Sequence, residues 1–465
     1  MRSIVTGLVV IISLITTVSS AFCSGFALIE QSASGLGTAY SGGAAAAEDA
    51  TTVFTNPAAM TLLKGQQISG VLHVIMPSAT YNNGTAKNAA GAPFSGGNGG
   101  EAGLTGFIPN FYYVAKLNKD LAIGFGMNTP FGLATKYDDT WVGRYHAVKS
   151  DMMTINFNPS VAYRINDKLS VGAGFNVQYM KAELTSMIDF GLSAYSQLKA
   201  GNATQQAQAN ALVTAGAVSN PRADIYGNMK GESWSISWGN YGILYTPSES
   251  TRFGATYRSE MKHSLKGDVS FSPRDATYLT ALGLAGSAGS TFANQGINGE
   301  ITLPASASLS AFHRFNPAWA VTGDVSWTQW SSFNKLVINF NNGTLPASPT
   351  TENWQDTWRF SLGTTYNPTA KLALRTGVAY DMTPVPDAEH RTPRIPDNDR
   401  FWIAVGAGYK FSDMISLDFG YAHLFVDSSR MSKSATTAED AGRGTLAGNF
   451  STSVDILSTQ LNIRF

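Results

Sequence analysis

The length of the alternating stretches constrains this chain more than any other feature. From Met153 to Arg164 the odd positions read Met153, Ile155, Phe157, Pro159, Val161 and Tyr163, and the even ones Thr154, Asn156, Asn158, Ser160, Ala162 and Arg164. Leu169 to Ala182 repeats the pattern, with Leu169, Val171, Ala173, Phe175, Val177 and Tyr179 on one side and Ser170, Gly172, Gly174, Asn176 and Gln178 on the other. Successive side chains of a strand point to opposite faces, so each stretch has one apolar face and one polar or small face. Strands in soluble sandwiches run to about five or six residues. Stretches of ten or more suit tilted strands crossing a bilayer, and the predicted fold is an all-β, transmembrane antiparallel β-barrel.

Turn chemistry supplies the strand count. Short polar connections occur at Asn118-Lys119-Asp120, Asn166-Asp167-Lys168, Pro247 to Ser250, Asn316-Pro317, Asn367-Pro368 and Ser412-Asp413. Each separates two long alternating stretches, as a tight hairpin does. Six short turns alternating with seven longer loops give 14 strands, with both chain ends on the periplasmic side. Phe111, Tyr112, Tyr113, Trp319, Trp327 and Trp330 fall near strand ends, where girdles at the two membrane interfaces are expected. The last strand alternates through Leu457, Thr459, Leu461 and Ile463 to Phe465, a terminal aromatic of the kind read by the barrel assembly machinery. Among the loops, Leu192 to Val218 is rich in Ala and Gln and predicts a helix. The small, apolar segment Ala276 to Ala293 either offers a greasy docking surface or packs with its neighbours over the barrel mouth.

Composition narrows the partners. Charged residues make up 14% of the chain and the formal net charge is zero. A nucleic-acid partner needs a surplus of Lys and Arg, so none is expected. Arg2, the apolar run Ile4 to Val18 and the small residues Ser19, Ser20 and Ala21 read as a secretory signal peptide over 1–23, cleaved between Ala21 and Gly25. Cys23 is the single cysteine, and Phe22 before it argues against a lipoprotein. Cleavage after Cys23 would remove disulfides, thiol catalysis and cysteine metal sites together. No metal and no cofactor are expected, because the six His residues, among them His73, His263, His313, His390 and His423, show no ligand spacing. The remaining one, His146, lies near Ser150 and Asp151, which gives a weak alternative of an outer-membrane lipid hydrolase. A water-filled porin is the other rival.

Residues 24–64 do not alternate, and 65–465 carry the barrel pattern. The first of these segments contains Ser34-Gly35-Leu36-Gly37, then Ala39-Tyr40-Ser41-Gly42, and later Asn56-Pro57-Ala58. This resembles the N-terminal hatch of the FadL/TodX family of long-chain fatty acid and hydrocarbon channels. Asn128 to Asp138, Tyr257-Arg258-Ser259-Glu260, Pro384-Val385-Pro386 and Ile395 to Trp402 are also similar to segments of that family. The resemblance implies a 14-stranded barrel plugged by the hatch in the outer membrane of a Gram-negative bacterium, working as a monomer among outer-membrane lipid and lipopolysaccharide. It implies capture of a long-chain fatty acid, or of an aromatic or aliphatic hydrocarbon, at external loops. An inner pocket and a lateral exit through a kinked third strand then follow. Here that exit maps to Gly124, Gly126, Pro130 and Gly132, where Gly and Pro weaken a ladder.

Strand parity picks the candidate binding residues. Phe401, Ile403, Val405, Tyr409 and Phe411 form a lipid face, which turns Arg400 and Trp402 into the lumen. Leu372, Leu374, Thr376, Val378 and Tyr380 do the same for the preceding strand, turning Arg375 and Asp381 inward. A fatty acid needs an apolar slot and a cation or donor for its carboxylate. Arg400 is the first candidate for that role, and the resemblance points to it as well. The alternative is an ion pair with Asp381 or Asp399 that stiffens the barrel. Phe26, by its match to the family's N-terminal Gly-Phe, is expected to reach the pocket, and Asn56 and Pro57 to fix a turn of the hatch.

Overall fold

The computed structural model describes residues 25–343 and 345–465, with Trp238 described by its backbone alone. The expected signal peptide, Cys23 and Ser24 lie outside the described residues. Among the described residues, one antiparallel sheet closes on itself through β1 (Gln66–Lys87), β2 (Gly106–Lys116), β3 (Leu121–Asn128 and Gly132–Lys136), β4 (Lys149–Asn166), β5 (Leu169–Ile188), β6 (Ile225–Ser248) and β7 (Thr251–Arg258 and Met261–Pro273). It continues through β8 (Gln295–Leu303 and Ser306–Arg314), β9 (Trp319–Thr328 and Lys335–Phe340), β10 (Ser348–Thr351 and Thr357–Tyr366), β11 (Leu372–Asp381), β12 (Arg400–Lys410), β13 (Ile415–Val426 and Ser429–Lys433) and β14 (Thr445–Arg464). Closure comes from β1 pairing with both β2 and β14, from Gln67 opposite Arg464 to Lys87 opposite Thr445. A barrel has no free edge, which is what a sheet in hydrocarbon requires.

Alternation sets which side chains meet lipid. On β4, Val161 and Tyr163 are exposed while Thr154, Asn156 and Asn158 are buried in the lumen. Leu309 and Leu362, each 66% exposed, show how fully the apolar face is turned outward. Trp319 stacks on Tyr366 at the end of the barrel where the short turns lie, and Trp327 pairs across the sheet with Trp358 at the other end. Two of the expected girdle residues belong elsewhere. Tyr112 points inward by parity and donates to Gln31, and Trp330 turns into the lumen on a short 3-10 turn that interrupts β9.

Outside the membrane, Phe190–Lys199 (α3) and Ala203–Thr214 (α4) form over the segment predicted to be helical, with Asn202 and Gln205 closing a capping box at the start of α4. Ala276–Ala281 (α5) and Ala285–Thr291 (α6) pack against them through Phe190, Leu212, Leu279, Leu284 and Phe292. The apolar loop is therefore consumed by packing among the external helices. Beside it, Arg144 Nε donates to Asp224 at 2.8 Å with both side chains fully buried, and Tyr145 Oη donates to the same carboxylate.

Gly25 to Leu63 fill the lumen as a hatch with two short helices, Ala33–Leu36 (α1) and Thr52–Thr55 (α2). It is fastened around the wall: Ala33 N donates to Gln460 on β14, Ala44 N to Ser310 on β8, Asn56 Nδ2 to the Ile243 carbonyl on β6, and Thr61 Oγ1 to Ser170 on β5. Glycines on the inner wall let it approach. A Cβ at Gly377 would lie 2.2 Å from the Thr38 carbonyl carbon, one at Gly406 2.7 Å from the Gly37 Cα, and one at Gly172 2.4 Å from the Ala58 N. Several of these glycines face one another across the sheet: Gly172 opposite Gly242, Gly363 opposite Gly377, Gly406 opposite Gly420. The polar and small face read from sequence is, at this level, a socket cut to backbone.

Candidate functional site

The ladder between β2 and β3 runs from Lys116 opposite Ala122 to Phe111 opposite Met127 and goes no further. Pro130 has no N–H to give, and Thr129 to Phe131 leave the strand. When β3 resumes at Gly132 its ladder is with β4, and only its outer end bridges back to the segment before β2, Thr135 opposite Gly103. The outer half of β2, from Gly106 to Asn110, is thus without a β3 partner. Hatch residues take the place from inside: Leu28 N donates to the Pro130 carbonyl at 2.8 Å, Gly132 N to the Phe26 carbonyl at 2.9 Å, and Asn110 Nδ2 to the Glu30 carbonyl at 2.9 Å. The break is shorter than the sequence suggested. Gly124 and Gly126 stay in the ladder, opposite Val114 and Tyr112. Gly124 clears space for the hatch side chains Val53 and Met60, and Gly126 for the Tyr112 ring.

Above the hatch, the same N-terminal segment carries Phe26 into an aromatic cage. Its ring centroid lies 4.7 Å from Trp330, 5.3 Å from Phe333, 5.5 Å from Trp354 and 6.1 Å from Phe131. Edge-to-face geometry of this kind adds to the burial of the rings. Gly25 adopts φ +59°, and a Cβ there would strike Trp354 at 2.5 Å, so the chain enters the cage only through a residue without a side chain. Met152, Met180, Leu133, Leu265, Ile301 and Phe26 line a cavity with an empty volume of about 850 Å³, its open mouth included. Gly231, Gly267 and Gly299 leave the wall of β6 to β8 thin at this height.

Below the cage the lumen is divided. Asn156, Asn158, Asn176 and Asn240 link β4, β5 and β6 through side-chain amides, and Arg258 donates to Asn176 and to the Phe54 carbonyl. On the other side, Leu28, Leu36, Ile75, Ile108, Leu424 and Ile456 form a continuous apolar surface that reaches the part of β2 without a β3 partner. A polar wall thus stands opposite an apolar one that leads toward the break in β3.

The parity-derived residues face inward, and most are already engaged. Arg400 is 2% exposed, pairs with Asp397 and lies 3.9 Å from Asp381. The stiffening alternative raised from sequence is thereby met by Asp381 and by Asp397. Asp399 instead accepts from Tyr380 and from Thr383 N. Arg375 lies at the level of the hatch, bridging Glu48 at 3.0 Å and Asp418 at 2.8 Å. Trp402 is buried in the apolar surface beneath Arg359, whose guanidinium lies 5.1 Å from its ring. Asn56 caps the 3-10 turn begun by Pro57, accepting from Ala58 N at 3.0 Å. Of the sequence-derived set, Phe26 is the residue that lines the cavity.

Sequence reasoning missed the charged groups at the outer rim. Arg394 and Glu352 line the cavity. Arg394 donates to the Lys149 carbonyl at 3.1 Å and to Ser150 Oγ at 3.0 Å, all neutral acceptors. Glu352 accepts from Trp354 Nε1 at 3.1 Å. Burial pushes its carboxyl up to about 8, against the opposing pull of Lys433 and Arg394. Burial pushes His146 down to about 3, so its ring is neutral beside the Gly444 carbonyl. Arg394 adjoins the Ile395-Pro396 segment, which could have drawn attention to it. Glu352 stands in an irregular break of β10, where parity gives no guide.

The whole barrel matches the family model described as "Outer membrane protein transport protein (OMPP1/FadL/TodX)" over residues 12–465. The chain belongs to this family. It is 34% identical over 444 residues to the "Long-chain fatty acid transport protein" of Escherichia coli K12, covering 95% of this chain and 96% of the relative. It is also 34% identical over 428 residues to "Outer membrane protein P1" of Haemophilus influenzae, covering 89% and 88%. The crystal structure of a Pseudomonas aeruginosa FadL homologue superposes with TM-score 0.82 at 26% identity, covering 95% of this chain and all of that one. The Pseudomonas putida toluene transporter TodX shares the fold, with TM-score 0.64 at 17% identity, covering 95% and 100%. This member of the OMPP1/FadL/TodX family is thus an outer-membrane β-barrel of the transport type.

Proposed function

We propose that the protein carries long-chain fatty acids inward across the outer membrane and releases them sideways between β2 and β3. The observation that carries the reading is the break in β3, which leaves the outer half of β2 without a β3 partner while hatch residues 26–30 bond across the opening from inside. A ligand tail entering the Phe26 cavity displaces those residues from the Pro130 and Gly132 backbone, and the apolar surface through Leu28 and Ile108 continues to the break. The relatives named long-chain fatty acid transport proteins support the same ligand class. The external helices α3 to α6 form the entry, and Gly25 to Leu63 the removable part of the path. The protein acts as a channel without catalysis: Ser150 Oγ is taken by Arg394 and His146 Nε2 meets the Gly444 carbonyl, so neither serves as nucleophile or base for the other. It works as a monomer, surrounded by lipopolysaccharide and lipid and inserted by the barrel assembly machinery.

The test is a staple across the break. Asn110 Oδ1 accepts from Thr129 N at 3.3 Å, so cysteines at 110 and 129 are placed to bridge β2 to the start of the break. Uptake of labelled oleate by cells relying on this channel should fall on oxidation and return on reduction, with oleate binding to the purified protein kept. Uptake that is indifferent to the staple would sink the lateral route.

A further inference from the structure

Two buried nitrogens beside the break in β3 have no hydrogen-bond partner among the described residues. The first belongs to His73, on the inward face of β1 between Val71 and Ile75, and the residue is fully buried. It stands directly opposite Ile108, in the part of β2 without a β3 partner. Cross-strand neighbours lie about 5 Å apart, so a ligand passing over Ile108 passes the His73 ring. Nδ1 of that ring meets Ser458 Oγ of β14 at 2.5 Å. The two nitrogens lie on opposite flanks of an imidazole, so a ring tied to β14 turns Nε2 away from that strand, and Nε2 is the atom without a partner.

The second belongs to Asn128, which ends the first segment of β3 and is 1% exposed. The next residue, Thr129, already bonds through its N to Asn110 Oδ1 at the start of the break. Asn128 Oδ1 accepts from Asn156 at 3.3 Å, while its Nδ2 has no partner. A further donor is uncovered when the hatch moves. Asn110 Nδ2 is held by the carbonyl of Glu30, one of the hatch residues that must leave for the opening to clear. Buried polar groups in folded proteins are almost always paired, and the exceptions call for a cause. The surface through Leu28, Ile75 and Ile108 is otherwise apolar, and a hydrocarbon sliding along it has no use for a nitrogen.

We propose that His73 Nε2 on the β2 side and Asn128 Nδ2 on the β3 side receive the polar head of the departing ligand at the lateral opening. The inference rests on the lateral reading and deepens it: these two residues suit the passage to a carboxyl-headed amphiphile over a bare hydrocarbon. The imidazole serves such a head in either state, since Nε2–H donates to a carboxylate and a bare Nε2 accepts from the acid. An amide and an imidazole hold the head more loosely than a guanidinium fork does, so the ligand is passed on and not retained.

The experiment compares uptake of labelled oleate and of labelled octadecene, the same tail length without a polar head, by cells relying on this channel. His73→Phe keeps a ring and removes both nitrogens, and it should slow oleate about tenfold, the loss of one hydrogen bond to a charged group. Octadecene uptake should stay near the wild-type rate, as should oleate binding to the purified full-length barrel. Asn128→Leu should act in the same direction, and Asn156 keeps an acceptor there in Asn176. His73→Gln, which retains a donor, should recover much of the oleate rate. Oleate uptake unchanged in both the Phe and the Leu variants would overturn the proposal. Equal slowing of oleate and octadecene would also overturn it, since that marks a structural tie between β1 and β14. A 110–129 staple that leaves oleate uptake untouched would sink the lateral reading itself, whereas a staple that blocks uptake beside indifferent variants sinks the head-receiving role alone.

Discussion

Adding one methyl group to the socket should unlock the hatch. At Gly377 a Cβ would lie 2.2 Å from the Thr38 carbonyl carbon and 2.3 Å from its oxygen. Ordinary contact is about 3.5 Å or more, so the Gly377→Ala variant forces the hatch backbone to retreat by about 1 Å. The obstacle is backbone, not a side chain that can rotate away. Overpacking of this kind costs about 1–3 kcal/mol, which raises the ratio of undocked to docked hatch by about 5- to 150-fold. Gly406→Ala, whose Cβ would meet the Gly37 Cα at 2.7 Å, adds to it in a double variant. The atoms nearest the new Cβ at Gly377 all belong to the hatch, so the barrel itself should form in that variant; at Gly406 the Cβ also presses on the Phe419 carbonyl of β13 at 2.9 Å, so barrel formation is checked first in the double variant. The assay is ion conductance in a planar bilayer, with hydrogen exchange at residues 33–45 as a second readout. The variants should show frequent open events and faster exchange. Gly70→Ala is the control, because a Cβ there meets nothing within 4 Å. A double variant as silent and as protected as wild type would refute the claim that the socket positions the plug.

Other expectations are compact. Arg375→Gln leaves Glu48 and Asp418 facing one another without their shared cation. Breaking the buried Arg375–Asp418 pairing costs about 3–5 kcal/mol, and conductance should rise as it does for the socket variants. Glu352→Gln keeps an acceptor for Trp354 and fixes the neutral state. Because the wild-type carboxyl is raised to about 8 by burial, its stabilising protonated form is present at low pH and is lost as pH rises through about 8. Glu352 lines the cavity, so oleate affinity should fall between about pH 7 and 9 in wild type and stay level in the variant. Arg144→Ala strands the Asp224 carboxylate among the external loops, and thermal melting should begin there, at lower temperature, while the barrel signal persists. Gly25→Ala should expel Phe26 from its cage, seen as raised tryptophan accessibility to a quencher.

The barrel was legible because a period of two leaves little freedom once strands are long. Parity alone placed Arg400, Trp402, Arg375 and Asp381 on the correct face, and the six polar turns fell where β2 to β13 actually reverse. Parity cannot report what an inward side chain meets. For Arg400 the sequence offered Asp381 or Asp399 as ion-pair partners, and Asp397 was missed because it comes from a loop, and loops carry no alternation. Trp330 looked like a girdle residue because nothing in the sequence announces the 3-10 turn that swings it inward. Gly124 and Gly126 looked like ladder breakers for the opposite reason: the missing side chain of Gly124 makes room for the hatch across the lumen, and that of Gly126 for the Tyr112 ring. The rim charges were invisible because Arg394 and Glu352 meet at the cavity from two irregular segments.

The bond from Ala33 N to Gln460 spans 427 residues. A plug held by such contacts, inside a wall whose first strand also closes onto the last, ties the two ends of the chain together. The seam of Gln66 against Phe465 turns an open curved sheet into a vessel, and the same final strand carries the bond that fastens its stopper.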